Sequence, residues 1–169
     1  MPETALLIPV PEAEPLVSEW RAQHDWSARR GVPAHITLLY PFAPTEKVDD
    51  ELLRALRDLF APQPQITFEL TRLARFPEVA WLAPEPSEPF AGLTHLIVAR
   101  FPEYPPYEGV HDEVIPHLTV AEGGIEIQDR VEAALAGHLP ISAHATDVAW
   151  LFEDDEGLWH EAHRFPLSG

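Results

Sequence analysis

Apolar and polar residues alternate in two short stretches of the chain that resemble each other. In the first stretch, His35 and Thr37 alternate with aliphatic residues, and a proline lies shortly upstream. In the second, His117 and Thr119 occupy the same relative positions, again after a proline. Successive side chains of a strand point to opposite faces. Each stretch therefore predicts a strand that buries one face and presents a histidine and a threonine on the other.

The apolar periodicity of the remaining chain predicts further strands and helices between proline- and glycine-rich breaks. The predicted strands cover residues 4–10, 34–40, 66–76, 79–83, 115–121, 141–152 and 158–165. The predicted helices cover residues 15–30, 49 or 50 to 60, 87–100 and 128–136. The apolar phase shifts near Arg72, which predicts an irregularity in that strand. Gly31 is expected to end the first helix.

The predicted elements repeat along the chain. Each half contains a helix, a His-x-Thr strand, a second helix and a β-hairpin, although the halves share almost no other sequence. This order predicts an α+β fold with two pseudo-symmetric lobes around a central cleft, each lobe a small antiparallel sheet with outer helices. We expect one domain over 1–169, with lobes at about 1–84 and 85–169 and with exchange of strands between them left open.

Composition narrows the classes of partner. The chain has 169 residues, 46% of them hydrophobic, no cysteine and a net charge of −17. We do not expect such an acidic chain to bind long nucleic acid, because affinity for it depends on Lys and Arg. A small anion can still bind through a few local donors. No apolar run is long enough to span a bilayer, and the N-terminus lacks the basic start of a signal peptide. We expect a cytoplasmic monomer without cofactor or metal.

The two polar pairs suit acid–base chemistry at phosphorus. Histidine has an ordinary pKa near 6.5, so one ring can accept a proton while the other donates one. The hydroxyl groups of Thr37 and Thr119 can donate to phosphate oxygens from two sides. Together, His35 and His117 would support in-line attack, with one ring activating the nucleophile and the other protonating the leaving oxygen. A third tripeptide, His144-Ala145-Thr146, lacks the surrounding pattern and is interpreted as a solvent-facing strand pair.

These motifs resemble those of a known family. The stretches His-Ile-Thr-Leu-Leu-Tyr-Pro-Phe at 35–42 and Pro-His-Leu-Thr-Val-Ala at 116–121 are similar to the two His-x-Thr/Ser motifs of the 2H phosphoesterases, in particular their 2′-5′ RNA ligase-like branch. The resemblance implies that His35 and His117 are catalytic and that Thr37 and Thr119 bind phosphate. It further implies metal-independent hydrolysis of 2′,3′-cyclic phosphates or related cyclic phosphodiesters, with 2′-5′ RNA linkages joined or opened by some members.

The acidic composition bears on the substrate. It favours a mononucleotide, a short oligonucleotide or RNA end, or another small cyclic phosphate over a large RNA. Four aromatic side chains are open to two interpretations: they stack on a base of the ligand, or they belong to the core or to the rim of the cleft. They are Tyr40, Phe42, Phe76 and Trp81. Arg72 and Arg75 either border the cleft or lie on an exposed strand face.

Two further groups of residues are open to more than one interpretation. A proline- and tyrosine-rich loop over 101–113 contains Tyr104 and Tyr107, which either form a lid or cover a sheet edge. His160 and His163 lie three positions apart, which on a regular strand places them on opposite faces and argues against joint metal binding.

Two other functions remain alternatives. The same scaffold could be a non-catalytic module that binds nucleotide or phosphate without turnover, which the acidic composition and the lack of cationic residues beside the motifs would suit. An unrelated interaction domain would use the loop over 101–113 and would keep the two histidines apart.

Overall fold

The computed structural model describes residues 2–105 and 114–169. The strands in these residues are β1 (Thr4–Pro9), β2 (His35–Leu39), β3 (Ile66–Phe76), β4 (Val79–Glu85), β5 (Leu118–Glu122), β6 (Ile141–Ala145), β7 (Asp147–Glu153) and β8 (Trp159–Pro166). The α-helices are α1 (Glu14–His24), α2 (Trp26–Arg29), α3 (Asp50–Phe60), α4 (Glu88–Arg100) and α5 (Ile125–Leu135). Within these residues, no helix is both long enough and apolar enough to cross a membrane.

The strands form two four-stranded antiparallel sheets. The N-terminal sheet has the order β2-β1-β7-β8, and the C-terminal sheet has the order β5-β4-β3-β6. The predicted α+β class with two small antiparallel sheets is confirmed. Each sheet combines strands from both halves of the chain, because the hairpin β3–β4 joins the C-terminal sheet and the hairpin β7–β8 joins the N-terminal sheet. The two strands that carry the His-x-Thr pairs, β2 and β5, lie at sheet edges.

The single strand predicted over 141–152 is wrong. The chain forms two strands there, since β6 pairs with β3 in one sheet and β7 pairs with β1 in the other. The break falls at Thr146, whose carbonyl oxygen accepts a hydrogen bond from the Leu167 amide at 2.9 Å. Apolar residues continue on both sides of the break, so the pattern does not show that the chain changes sheet.

Helices cover the sheets and the sheet edges. Asp49 begins α3 because its carboxylate accepts a hydrogen bond from the Leu52 amide at 2.8 Å, as an N-cap does. The predicted first helix is interrupted at Asp25, which accepts from the Ser27 amide and starts the short α2. Helix α4 packs against β2, and the Thr94 hydroxyl donates to the Leu38 carbonyl oxygen at 2.7 Å. Helix α1 packs against β5.

Buried side chains form one large core and one small cluster. The large core contains residues of both sheets and is dominated by aliphatic and aromatic side chains such as Trp150, Phe60 and Phe90. The small cluster, which we call the cleft-floor cluster, consists of Ala5, Leu7, Val32, Ala149, Leu151 and Trp159. Separate clusters on the two faces of the N-terminal sheet explain why both faces of β1 are buried.

Candidate active site

The two edge strands bring their histidines to one cavity. Strands β2 and β5 contact each other between the sheets. His35, Thr37 and His117 line a cavity of about 230 Å³ there, which also includes part of the cleft-floor cluster. His117 lies one residue before β5 begins. The two predicted histidines are therefore close in space although they are far apart along the chain.

Both imidazole rings are held in the same way. Nδ1 of His35 lies 2.7 Å from the Pro33 carbonyl oxygen, and Nδ1 of His117 lies 2.7 Å from the Ile115 carbonyl oxygen. A carbonyl oxygen can only accept, so Nδ1 carries the proton and donates in each ring. Nε2 is then the nitrogen of each ring that remains available to exchange protons with a ligand.

Burial lowers the pKa of both histidines. The pKa of His35 is lowered to about 4, mainly by loss of solvent. The Pro33 carbonyl opposes this shift, the positive charge of Arg21 adds to it, and the negative charge of Asp25 opposes it. The charge of His117 also lowers the pKa of His35, as expected for two rings in one cavity. Burial lowers the pKa of His117 as well, opposed by the Ile115 carbonyl. Both rings are therefore mainly neutral at pH 7 in the free protein.

A buried ion pair supports the N-terminal side of the cavity. Nε of Arg21 donates to the Asp25 carboxylate at 2.9 Å, and the two side chains are 3% and 5% exposed. Arg21 also donates to the Val32 carbonyl oxygen at 3.0 Å and to the Ser27 hydroxyl at 3.2 Å. Ser27 and Val32 both line the cavity. The ion pair therefore fixes the segment that leads into β2.

The turn at Gly31 docks this segment on the last strand. Gly31 has a φ of +98°, and a Cβ at this position would lie 3.0 Å from the Trp159 carbonyl oxygen. The Trp159 amide donates to the Arg30 carbonyl oxygen at 2.7 Å. Only glycine combines this backbone conformation with such a close approach at low cost. The Trp159 side chain is thereby placed in the wall of the cavity.

Aromatic side chains support the C-terminal side of the cavity. The ring of His117 lies edge to face with Phe76, at 5.2 Å between centroids, and with Trp81, at 5.7 Å. Trp81 is opposite Thr119 in the pairing of β4 with β5. Thr119 lies two positions after His117 and is half-buried, but it does not line the cavity.

The three aromatic residues predicted as substrate contacts lie in different surroundings. Tyr40 lines the cavity and lies edge to face with Trp159 at 5.7 Å. Phe42 does not reach the cavity, because it is buried in the large core against Phe101 and Trp150. Trp81 is buried against His117 and therefore supports the histidine without lining the cavity itself.

Arg72 and Arg75, the two arginines predicted as possible substrate contacts, lie on opposite faces of the C-terminal sheet. Arg75 does not border the cleft, since it forms ion pairs with Asp129 and Glu132 of α5. Arg72 is paired with Ala83, which places it on the face of the C-terminal sheet that carries Trp81, but it is exposed and does not line the cavity. The predicted irregularity near Arg72 is confirmed by a register shift between Leu70 and Arg72.

The remaining predicted groups lie outside the cavity or outside the described residues. Tyr104 packs edge to face on Phe42, whereas Tyr107 lies outside the described residues. His144 is exposed, as expected for the third His-x-Thr, and its ring is hydrogen-bonded to Thr67 and Gln65.

The prediction that His160 and His163 point to opposite faces is wrong. A register shift in the pairing of β7 with β8 places His160 opposite Phe152 and His163 opposite Trp150, which lie two positions apart on β7. The two histidines therefore share a face. His160 pairs with Asp154 at 2.7 Å. In the part of the chain that the structure describes, no three histidine or acidic side chains are grouped to hold a metal ion.

Several residues of the cavity carry no signal in the sequence. Trp159, Val32 and Ser27 line it, and Arg21 supports it. Arg21 lies in a helix where its spacing from Val17 marks a buried position, but an arginine there is normally assigned to solvent. The acidic residue four positions later, Asp25, is the one feature that could have indicated a pair.

Solved structures with the same fold are distantly related in sequence, and no curated protein matches the chain. E. coli LigT complexed with 3′-AMP has a TM-score of 0.62 and 19% identity over 100% of both chains. TT0787 of Thermus thermophilus has a TM-score of 0.65 and 18% identity over 99% of this chain and 98% of that one. E. coli LigT has also been solved with NADP⁺, at a TM-score of 0.62 and 18% identity over 99% and 98% of the two chains.

The sequence itself identifies the family. The model of the 2′-5′ RNA ligase superfamily matches residues 9–157, which include both His-x-Thr motifs and every strand from β2 to β7. The match covers most of the chain and agrees with the fold shared with LigT and TT0787. The chain belongs to the 2′-5′ RNA ligase superfamily, the 2H phosphoesterases.

Proposed function

We propose that this protein is a phosphodiesterase that hydrolyses a 2′,3′-cyclic phosphate, a related small cyclic phosphodiester or a 2′-5′ linkage in short RNA without a metal ion. The observation that carries the proposal is the matched pair of imidazole rings at one cavity, each with Nδ1 held by its own backbone and Nε2 left for chemistry. The complexes of E. coli LigT with 3′-AMP, ATP and NADP⁺ support a nucleotide-like ligand.

The surroundings of the two rings support different roles. Burial of His35 favours a neutral ring, which is the form that a general base requires, and the charge of Arg21 acts in the same direction against that of Asp25. Phe76 and Trp81 lie against His117, and aromatic rings stabilise a neighbouring cation. We therefore assign His35 as the base and His117 as the acid.

The proposed reaction is an in-line displacement. Nε2 of His35 takes a proton from water while the water oxygen forms a bond to phosphorus. The bond from phosphorus to one ribose oxygen of the cyclic ester breaks, and that oxygen receives the Nε2 proton of His117. The anionic ligand raises the pKa of His117 on binding, which supplies the required imidazolium. Exchange of one proton with solvent at each ring completes the cycle.

The hydroxyl groups beside the histidines are proposed to hold the phosphoryl group. Thr37 follows His35 by two positions on β2 and lines the cavity, so its hydroxyl can donate to a phosphate oxygen beside the base. Thr119 has the matching position on β5. We assign it the same role from the other side. Tyr40 and Trp159 are placed to contact the organic part of the ligand.

The first experiment measures turnover of the four 2′,3′-cyclic mononucleotides by protein treated with EDTA. Wild type is compared with His35→Ala and His117→Ala, and the monophosphate isomer is identified by chromatography. His144→Ala is the matched control, because it removes the histidine of the third His-x-Thr, which does not line the cavity. We expect one isomer from wild type and the control and none from the other two variants. Full activity of His35→Ala would show that the mechanism is wrong.

A second function, binding without turnover, is favoured by one observation. Both histidines have a lowered pKa, so the free protein lacks the imidazolium that a general acid requires. Calorimetry with 2′- and 3′-monophosphates beside the turnover assay separates the two functions. Tight binding of a monophosphate with no hydrolysis of any cyclic form would identify a binding module.

A further inference from the structure

The described residues in the wall of the cavity include no Lys or Arg side chain. The described residues that line it are mainly apolar and include Leu7, Val32, Leu39, Val114, Ile115 and Trp159. Residues 106–113, which precede Val114 in the chain, contain neither Lys nor Arg in their sequence. Among the described residues, a ligand therefore meets two histidines, a few hydroxyl groups and an apolar surface.

The guanidinium of Arg21, near His35, already has its hydrogen-bond partners within the protein. Arg21 is 3% exposed and donates to Asp25 at 2.9 Å, and its remaining hydrogen bonds go to Val32 and Ser27. Every one of these partners belongs to the protein. Arg21 therefore supplies no unpaired charge for a ligand anion.

A second anionic group on a ligand would thus be unfavourable in this cavity. Transfer of a phosphate from water to an apolar wall without a counter-charge costs free energy, since the lost hydration is not replaced. The net charge of −17 adds repulsion at longer range. The cavity volume of about 230 Å³ lies below the range of about 300–1,000 Å³ that is typical for drug-sized ligands, which favours a compact ligand.

We propose that this cleft selects phosphodiesters with a single negative charge and a compact, largely apolar or aromatic organic group. The phosphoryl group is held between the histidines, and the organic group lies against Tyr40 and Trp159. Ligands with a further phosphate, such as a 5′-phosphorylated nucleotide, are discriminated against, so short RNA is the least favoured of the proposed substrates. This inference rests on the proposed function, because it names the substrate class of the same site.

The test compares three cyclic phosphates on the wild-type protein. They are adenosine 2′,3′-cyclic phosphate, the same compound with a 5′-phosphate, which adds a charge of about −1.5 to −2, and glycerol 1,2-cyclic phosphate, which lacks the base. We expect kcat/KM to fall by about tenfold or more on addition of the 5′-phosphate, equivalent to about 1.4 kcal/mol. It should fall by a similar factor on removal of the base. Equal or faster turnover of the 5′-phosphorylated compound would overturn the inference.

Salt and charge variants locate the source of the discrimination. The ratio between the first two substrates should persist at about 1 M salt, where the long-range field is screened. Val114→Lys adds a cation at the cavity wall and should narrow the ratio roughly threefold. The matched control is Ile125→Lys, which adds the same charge at a position that is 70% exposed and does not line the cavity. If the two substrates have equal kcat/KM in high salt, or if both variants reduce the difference between them equally, the discrimination is due to net charge and the inference is overturned.

A binding measurement keeps this inference separate from the proposed function. If none of the cyclic phosphates is hydrolysed, the proposed function fails, and calorimetry then compares 3′-AMP with adenosine 3′,5′-bisphosphate on the same protein. Tighter binding of 3′-AMP by about tenfold or more would still support selection for low charge. Equal or tighter binding of the bisphosphate, or binding of neither, would overturn it.

Discussion

His35 and His117 are held by the same backbone contact, with Nδ1 2.7 Å from the carbonyl oxygen two residues earlier in each case. Each ring lies at the edge strand of its sheet, and each is followed by a threonine at the second position. The surroundings differ. His35 lies near the buried pair of Arg21 and Asp25, whereas His117 lies against two aromatic rings.

This difference shows how a nearly symmetric site can produce two unlike groups. The local backbone sets the tautomer, and it is the same for both rings. The elements packed around each ring set its charge preference, and they come from different parts of the chain. The buried Arg21–Asp25 pair near one imidazole and the aromatic rings beside the other are the differences on which the two proposed roles depend.

The largest expected effect separates the two roles by the leaving group. On a 2′,3′-cyclic nucleotide, His35→Ala and His117→Ala should each lower kcat/KM by about 10²–10⁴-fold, the usual contribution of a general acid or base. On a nucleoside 4-nitrophenyl phosphodiester, the leaving group departs as a stable anion and needs no proton. On that ester, His117→Ala should lower kcat/KM by less than about tenfold, whereas His35→Ala should lower it as much as on the cyclic nucleotide.

The same assay can contradict the assignment of His35 as the base and His117 as the acid. If His35→Ala is the variant that recovers on the nitrophenyl ester, the acid is His35 and the comparison above is inverted. Equal recovery of both variants would show that neither ring acts as a dedicated acid. Circular dichroism of each variant checks that the fold is retained.

The second prediction concerns stability and compares an arginine in a buried ion pair, Arg21, with one in solvent-exposed ion pairs, Arg75. Arg21→Met leaves the buried Asp25 carboxylate without its counter-charge and should lower the free energy of unfolding by about 3–5 kcal/mol. Arg75→Ala removes ion pairs that are exposed to solvent, so its denaturation midpoint should stay close to that of wild type. Urea titration measures both. Equal midpoints for the two variants would show that the buried pair is not a major support of the cavity.

Local patterns were enough to predict the parts of the site that lie on single elements. Alternation of polar and apolar residues located β2 with His35 and Thr37, and the repeated pattern located His117, whereas Thr119, predicted for the same cleft, does not line the cavity. The start of α3 was predicted at residue 49 or 50, and Asp49 is its N-cap, because a cap depends on residues three positions apart. These features follow from steric and hydrogen-bonding rules that act within a few residues.

Features that depend on pairing between distant elements could not be predicted. Nothing in the sequence near 146 shows that β6 and β7 belong to different sheets. The contact of Trp159 with Gly31, and the burial of Phe42 against Trp150, depend on how the last hairpin joins the first sheet. Side-chain type alone does not distinguish an aromatic residue at a cavity from one in the core.

The third prediction tests whether the threonines contribute equally. Thr37→Val and Thr119→Val replace a hydroxyl by a methyl group of similar size. A hydrogen bond to a charged group contributes about 1.5–3 kcal/mol, so loss of the Thr37 hydroxyl should lower kcat/KM by about tenfold or more. Thr119 does not line the cavity in the free protein, so its effect should be the smaller of the two. Steady-state kinetics on one cyclic nucleotide decides this, and a larger loss for Thr119→Val would mean that β5 shifts when ligand binds.

The smallest expected effect is a shift in the pH profile of kcat/KM. A general base is active above its pKa and a general acid below its own, so the profile should be a bell with an acidic limb set by His35, near pH 4. The alkaline limb should lie below the ordinary histidine value, because burial lowers the pKa of His117. Both limbs therefore move to the acidic side of neutrality.

Arg21 then provides the means to move one limb alone. Its positive charge lowers the pKa of His35, so Arg21→Met should raise that pKa and shift the acidic limb to higher pH, while the alkaline limb stays in place. Arg21→Lys keeps the positive charge and should leave the acidic limb at its wild-type pH. Arg75→Ala should shift neither limb. The profiles are measured at a temperature where each variant remains folded. A shift of the alkaline limb in Arg21→Met, with the acidic limb unchanged, would assign the acid to His35 and contradict the electrostatic difference between the two halves.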